Sequence, residues 1–267
     1  MKFTDLGIDS RLFLGSAGYP NLSSLVGSIQ AANSQIVTVS MRRHSISAFR
    51  GNQFLEKLQN LNIKFLPNTS GCYNAKDAVN LAKMARDVFE TNFIKLEVVC
   101  DEETLAPHPK ELINAAEELN KDNFLVFPYT SDDIGLCKAL SDVGCKILMP
   151  GGSPIGSGNG IQNIASFKKL RSYFPEHLLI LDAGVGRPSD ASIAMEMGYD
   201  AVLVNSAIAK SIDPVKMSLA FKNAVLAGRQ CFEAGAIAKE SFAIPSSPMV
   251  GIPFDSVPAN ILQTGNV

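Results

Sequence analysis

The 267-residue sequence has no apolar stretch near the ~20 residues that a membrane-spanning helix requires. Residues 1–5 carry no apolar signal-peptide region. No run of Lys and Arg stands out either, and a net charge of −2 with a pI near 6.0 argues against a nucleic-acid-binding surface. These absences predict a cytoplasmic protein that contacts neither membranes nor nucleic acids.

The cysteines are few, odd in number and scattered. They contain no CxxC pair, and they stand at Cys72, Cys100, Cys137, Cys145 and Cys231. This spacing indicates neither a disulfide framework nor a zinc site, so we expect no metal and a reducing compartment. Cys100 follows a candidate strand, where one interpretation is a reactive thiol; the other is a small apolar filler, as most lone cysteines are.

What the sequence does contain is a regular alternation of strand-like and helix-like segments. With 46% hydrophobic and 19% charged residues, the chain can form a large core. The candidate strands are Leu12–Gly18, Ile36–Arg43, Lys64–Gly71, Asn92–Asp101, Phe124–Tyr129, Cys145–Gly152, Leu178–Gly184 and Ala201–Ser206. The candidate helices are Ser23–Asn33, Phe54–Leu61, Ala75–Thr91, Pro109–Leu119, Asp132–Val143, Ser189–Met197 and Pro214–Ala227.

Eight strands alternating with helices predict an α/β fold of the (β/α)₈ TIM-barrel type. A doubly wound open sheet is the alternative, but such sheets usually show a GxGxxG turn after the first strand, and residues 15–20 do not fit it. We expect a single barrel domain over residues 1–228. Residues 229–267, rich in Pro and Ser around residues 244–248, are predicted to be an extension that packs near the barrel and is partly mobile.

The segment Asn92–Asp101 carries an unusual pair of charges. In a strand Lys95 and Glu97 share one face, whereas Ile94, Leu96 and Val98 share the other, uniformly aliphatic face. One interpretation is a Lys–Glu pair on a half-exposed edge strand. The other is a lysine nucleophile with a carboxylate partner inside a barrel.

In these barrels the active site lies at the C-terminal ends of the strands. Polar residues follow that rule here: Arg42, Arg43, Asn68, Thr69, Lys95, Glu97, Asp182 and Asn205. Inside a barrel, burial and neighbouring charge are expected to lower the pKa of Lys95, so that a neutral amine forms a Schiff base with a ketone or aldehyde. Glu97 and Asp182 are then candidates for moving protons, although Asp182 suits a loop cap or helix N-terminus equally well.

The loops after the last two strands predict a phosphate site. Residues 182–186 place two glycines before a helix, and residues 205–208 are small. Backbone N–H groups in these loops bind anions, and glycine permits a close approach. The glycine-rich loop 151–160 suits a lid or a phosphate cradle, with a plain surface loop as the alternative.

Together these segments resemble the bacterial thiazole synthase (ThiG) family of thiamin biosynthesis. The matching stretches, in family order, are Thr38–Arg43, Leu66–Gly71, Ile94–Glu97, Met149–Pro150, Ser153–Ser157, Asp182–Gly186 and Asp200–Ala209. The match departs at residues 15–20, which lack the basic residue of the family's first loop, at Ser206, where threonine is common, and at the Gly151–Gly152 pair.

The resemblance implies a specific chemistry. Lys95 stands at the position of the lysine that forms a Schiff base with 1-deoxy-D-xylulose 5-phosphate, and Glu97 and Asp182 match the acid–base residues. The implied sugar-phosphate contacts are Gly156, Ala183, Gly184, Asn205 and Ser206. Sulfur comes from the thiocarboxylate of a small ThiS-like sulfur carrier protein, and dehydroglycine completes the ring. The barrel needs no cofactor, and family members are homo-oligomers.

Two other functions remain open. One is another lysine-imine enzyme acting on a different sugar phosphate, such as an aldolase or a barrel like pyridoxal-phosphate synthase. The other is a non-catalytic phosphate-binding scaffold, which would keep its affinity for phosphate after Lys95→Ala and would form no covalent adduct.

Overall fold

The computed structural model describes residues 1–40 and 53–246, and its eight parallel strands close into a barrel in sequence order, β1 beside β8. The strands are β1 (Leu12–Gly15), β2 (Ile36–Ser40), β3 (Lys64–Asn68), β4 (Phe93–Leu96), β5 (Leu125–Thr130), β6 (Ile147–Pro150), β7 (Leu178–Leu181) and β8 (Ala201–Val204). The predicted (β/α)₈ architecture is therefore confirmed, and the open sheet is excluded.

Helices follow the strands and surround the barrel. In the described ranges they are α1 (Leu22–Ala32), α2 (Gln53–Gln59), α3 (Ala75–Phe89), α4 (Pro109–Lys121), α5 (Ile134–Asp142), α6 (Ile164–Tyr173), α7 (Pro188–Glu196), α8 (Ser206–Ala209) and α9 (Pro214–Ala234). A 3₁₀ turn, Phe3–Leu6, precedes β1. Asparagine side chains cap several helices, as Asn74 does when it accepts a hydrogen bond from the backbone N–H of Asp77 at 2.9 Å.

The strand alternation divides the core into two layers. Side chains such as Phe13, Leu66 and Phe127 fill the barrel interior. The intervening residues, including Ile94 and Leu96, pack outward against the helices. Each fully buried side chain of this kind contributes roughly 1.5–3 kcal/mol of transfer free energy, so both layers stabilise the closed barrel.

Several elements differ from the sequence-based expectation, since most strands end earlier than predicted and the short helix α8 was not predicted. Strand β4 ends at Leu96 rather than Asp101, because the chain then leaves the parallel ladder and Val99 forms an antiparallel bridge with Pro107. Helix α6 was not predicted, since only Phe167 and Leu170 of its ten residues are buried and its apolar periodicity is weak.

The end of α9 also differs, because the helix continues through Gly228 to Ala234 instead of stopping at Ala227. Gly228 is a packing residue. A Cβ atom there would lie 2.5 Å from the carbonyl oxygen of Ser192 in α7, so glycine lets the two helices approach closely.

The chain divides into two compact units, Met1–Ala234 and a second unit that begins at Gly235. The first unit contains the barrel. Residues 235–246 of the second contain neither helix nor strand. Within the described ranges, no helix is both long and apolar enough to cross a membrane.

Candidate active site

Lys95 lies inside the barrel near the C-terminal end of β4. Its neighbours Ile94 and Leu96 point to the outer layer, so the strand's alternation turns the Lys95 side chain inward. The residue is only 6% exposed. Its Nζ atom lies 2.6 Å from Oδ2 of Asp182 and 3.0 Å from Oε1 of Glu97. One buried ammonium thus contacts two buried carboxylates, and the exposed edge-strand interpretation is wrong.

Glu97 lies one residue beyond the end of β4. The hydroxyl of Thr69, which follows β3, accepts a hydrogen bond from the backbone N–H of Glu97 and donates one to its carbonyl oxygen, both at 2.8 Å. The backbone N–H of Thr69 donates to the carbonyl of Lys95 at 3.1 Å. These bonds hold Glu97 beside Lys95 although the strand has ended.

Asp182 directly follows β7 and faces β4 across the barrel. Its Oδ1 atom accepts a hydrogen bond from the backbone N–H of Ala183 at 2.8 Å, while Oδ2 contacts Lys95. Both interpretations of this carboxylate therefore apply, because one oxygen caps the loop and the other faces the amine. The remaining polar rim residue Asn68 lines the same cavity, whereas Arg42 and Arg43 lie outside the described residues.

The predicted lowering of the Lys95 pKa is wrong. Burial by itself lowers the pKa, but the charges of Asp182 and Glu97, together with their hydrogen bonds, raise it by more. The pKa of Lys95 is therefore raised, and the resting site holds an ammonium ion. A neutral amine therefore requires that Lys95 lose this proton.

Tyr129 is a site residue that the sequence analysis missed. Its ring centroid lies 5.8 Å from Nζ of Lys95, a distance typical of a weak cation–π contact. Burial raises the pKa of the Tyr129 phenol, and the charge of Asp182 raises it further, so the hydroxyl stays protonated. The sequence of β5 could have indicated this residue, because Tyr129 stands two positions after Phe127 and therefore shares its inward face.

A cavity of about 180 Å³ joins Lys95, Glu97 and Asp182 at the C-terminal end of the barrel. All eight residues singled out as catalytic or substrate-binding line it: Lys95, Glu97, Gly156, Asp182, Ala183, Gly184, Asn205 and Ser206. Four hydroxyl-bearing residues that were not predicted as site residues also line it: Ser16, Thr38, Ser40 and Ser70. Their position could have indicated them, because each lies at or near the end of one of the neighbouring strands β1, β2 and β3.

The loop after β7 exposes its backbone to the cavity. Ala183 and Gly184 both adopt positive φ angles, 59° and 72°. A Cβ atom on Gly184 would lie 1.9 Å from Oγ of Ser153, so only glycine fits there. Backbone N–H groups in turns of this kind can face an anion, while the N–H of Ala183 already donates to Asp182.

Asn205 and Ser206 supply the facing wall, where α8 begins. Oδ1 of Asn205 is buried and has no hydrogen-bond partner among the described residues, so it is available to a ligand. Gly15 at the end of β1 makes room for this side chain, since a Cβ atom on Gly15 would lie 2.5 Å from Cβ of Asn205. The wall thus depends on close contact between β1 and the loop after β8.

The loop 151–160 is hydrogen-bonded to the loop after β7. The N–H of Gly160 donates to the carbonyl of Gly184 at 2.8 Å, and the N–H of Gly152 donates to that of Asp182 at 3.1 Å. Oγ of Ser153 lies 3.0 Å from Oγ of Ser157. These bonds place Gly156 against the cavity, as a cradle requires.

No cluster of three or more His, Cys, Asp or Glu residues suited to a metal ion occurs in the described ranges. The described residues of the site supply an amine, two carboxylates, a phenol and the backbone of the loop after β7. An amine with adjacent carboxylates can form an imine and move protons around it.

Comparison with known proteins identifies relatives over nearly the whole chain. The family model described as "Thiazole biosynthesis protein ThiG" matches residues 2–248. Thiazole synthase of Bartonella quintana is 49% identical over 242 residues, covering 91% of this chain and 94% of the relative. Thiazole synthase of Brucella anthropi is 48% identical over 254 residues, covering 95% of this chain and 99% of the relative. Among solved structures, the Amycolatopsis orientalis BexX/CysO complex matches with a TM-score of 0.76 at 25% identity, covering 88% of this chain and 95% of that chain.

Proposed function

The chain belongs to the ThiG family of thiazole synthases, and on that premise we propose the reactants and the chemistry. The substrates are 1-deoxy-D-xylulose 5-phosphate, dehydroglycine and the thiocarboxylate of a sulfur carrier protein. The product is the thiazole phosphate moiety of thiamin, formed through a Schiff base on Lys95.

The observation that carries this proposal is the contact of Lys95 with Asp182 at 2.6 Å and Glu97 at 3.0 Å, in one cavity with the backbone of Gly184 and the side chain of Ser206. A sugar phosphate bound there places its phosphate against the two loops and its carbonyl beside the amine. Fixing both ends of a substrate in this way brings the reacting atoms together at reduced entropic cost.

The raised pKa of Lys95 sets the first step. Asp182, the nearer carboxylate, accepts a proton from the ammonium, and the neutral amine attacks the substrate ketone to form a carbinolamine. Return of that proton to the carbinolamine hydroxyl releases water and leaves a protonated imine. This cation then occupies the position of the former ammonium, between Asp182 and Glu97.

The electrostatic field that keeps Lys95 protonated also stabilises the protonated imine, because both carry one positive charge at the same nitrogen. The imine withdraws electrons and acidifies the hydrogens on the neighbouring carbon. Glu97 lies on the same side of the barrel as the nitrogen and serves as the base that removes such a hydrogen. Sulfur addition and condensation with dehydroglycine follow, with loss of water.

The sulfur donor requires a protein partner. The cavity opens at the C-terminal end of the barrel, where the flexible tail of a carrier protein can enter. The BexX structure, at 25% identity, is a complex with CysO, which supports a protein partner for this fold. We further propose a cytoplasmic location and homo-oligomeric assembly, as the family resemblance implies.

Borohydride trapping tests the proposal. The protein is incubated with 1-deoxy-D-xylulose 5-phosphate and sodium borohydride, and the modified peptide is identified by mass spectrometry. We expect one adduct, on Lys95, that is lost in Lys95→Ala and retained in Lys64→Ala, since Lys64 is an exposed lysine at the other end of β3.

Three outcomes separate the candidate functions. Absence of a Lys95 adduct in the wild type contradicts the proposed mechanism. A stronger adduct with a different sugar phosphate favours another lysine-imine enzyme. Phosphate binding without any adduct, unchanged in Lys95→Ala, favours a non-catalytic scaffold.

A further inference from the structure

We propose that Thr69 is a positioning residue, whose hydroxyl holds Glu97 in the orientation that proton transfer requires. This inference rests on the proposed function, because it assigns the residue that sets the geometry of one member of the Lys95, Glu97 and Asp182 group.

The need for such a residue arises from the early end of β4. The register of β3 and β4 pairs Asn68 with Lys95, and β4 ends at Leu96. Glu97 therefore lies beyond the ladder that fixes the backbone of Lys95. Its side chain nevertheless has to stay 3.0 Å from Nζ of Lys95 in the buried cavity.

Thr69 replaces the missing ladder contacts with a single side chain. Its hydroxyl oxygen lies 2.8 Å from both the N–H and the carbonyl oxygen of Glu97, accepting from the first and donating to the second. Thr69 is fully buried, so water does not compete for these bonds. Its own N–H donates to the carbonyl of Lys95, which ties both charged residues to one neighbour.

Thr69 does not line the cavity and does not touch the reacting atoms in this arrangement. It acts through Glu97. Without the hydroxyl, the buried N–H and carbonyl of Glu97 lose these partners, and the segment shifts to recover hydrogen bonds elsewhere. A shift of about 1 Å in a positioning element costs on the order of 100-fold in rate.

The substitution Thr69→Val tests the role, since valine keeps the shape and removes the hydroxyl. Proton transfer is followed as deuterium incorporation from D₂O into 1-deoxy-D-xylulose 5-phosphate at the carbon next to the carbonyl. We expect Thr69→Val to lower the maximal exchange rate about 10–100-fold. The half-saturating substrate concentration should change by less than about twofold, because the phosphate cradle is untouched. Thr69→Ser, which keeps the hydroxyl, should recover most of the rate.

Thr130→Val is the matched control. Thr130 is a fully buried threonine at the end of β5, and its hydroxyl lies near Sγ of Cys137 at 3.9 Å rather than near the two carboxylates. It should keep the wild-type exchange rate. A double variant, Thr69→Val with Glu97→Gln, should be no slower than Glu97→Gln alone, because Thr69 acts through the carboxylate that the second change removes.

The outcomes distinguish this inference from the proposed function. A wild-type exchange rate in Thr69→Val overturns the positioning role. The role is also overturned if Thr69→Val slows exchange in the Glu97→Gln background by the same factor as in the wild type. Equal losses in Thr69→Val and Thr130→Val indicate general damage and also overturn it. Failure of the wild type to form an adduct on Lys95 instead overturns the proposed function, and this inference with it.

Discussion

Replacing Lys95 by methionine removes the cation that contacts both Asp182 and Glu97. Methionine has a similar length and fills the same space, so the perturbation is mainly electrostatic. Both carboxylates lie within 3.0 Å of Nζ, and both are more than nine-tenths buried. The variant therefore leaves two buried negative charges without their shared partner.

The expected cost follows from these distances. At an effective dielectric constant of about 20, each contact is worth about 6 kcal/mol before the desolvation of the ions is subtracted. Removing one partner from a buried ion pair typically costs about 3–5 kcal/mol net. At about 2–4 °C per kcal/mol for a domain of this size, we expect the unfolding midpoint to fall by about 6–20 °C at pH 8.

The loss should depend on pH. In the variant, repulsion between two buried carboxylates raises the pKa of one of them, so the folded state binds more protons than the unfolded state. Stability then increases as the pH falls through the raised pKa, and the variant should recover part of its loss near pH 5. In the wild type the pKa of Lys95 is raised on folding, so its contribution is complete below the unfolded pKa and is lost only at strongly alkaline pH.

Thermal unfolding followed by circular dichroism at pH 5 and pH 8 measures both effects. Lys64→Met is the control, because Lys64 is exposed and its loss should shift the midpoint by less than about 3 °C. Adding Asp182→Asn to Lys95→Met should restore part of the stability by removing one of the two charges. A Lys95→Met protein as stable as the wild type at pH 8, or equally destabilised at both pH values, would refute the electrostatic account.

Two further predictions concern single contacts. Asp182→Asn should lower the pKa of Lys95, because burial is then opposed by only one of the two carboxylates. Acetylation of Lys95 at pH 8, measured by mass spectrometry, should rise about tenfold or more, while acetylation of Lys64 stays unchanged. Unchanged acetylation of Lys95 would contradict this prediction. Gly184→Ala should weaken binding of 1-deoxy-D-xylulose 5-phosphate at least about tenfold by calorimetry, because its Cβ atom would lie 1.9 Å from Oγ of Ser153 and displace the cradle. Gly18→Ala, which has a similar φ of 81° but open space around its Cβ position, should bind normally, and equal weakening in both variants would refute the steric explanation.

Much of the fold could be predicted from local patterns. Alternation of apolar residues placed all eight strands in order, and it put Lys95 and Glu97 on one face, with Ile94 and Leu96 on the other. Glycines in the loop after β7 likewise indicated a close backbone approach. These features depend on residues that are close in the chain, so the two-residue alternation of a strand is enough to predict which face each side chain takes.

Other features have no local signal. Gly228 resembles a helix end in sequence but serves as a contact with Ser192. The weak apolar pattern of α6 hid a helix that the barrel nevertheless requires between β6 and β7. In both cases the structure of the segment depends on contacts with another element, so the composition of the segment alone is not enough to predict it.

By itself, the sequence determined which residues face the barrel interior and which lie at its C-terminal end, since strand period and element order fix both. Tertiary structure alone decided the protonation state of Lys95 and the anchoring of Glu97. Closure of the barrel brings Asp182 from β7 to 2.6 Å from an amine on β4, and places the Thr69 hydroxyl against a strand end. Coulomb energy and hydrogen bonding depend on distances of a few ångströms, and only the packed barrel sets distances between residues so far apart in the chain.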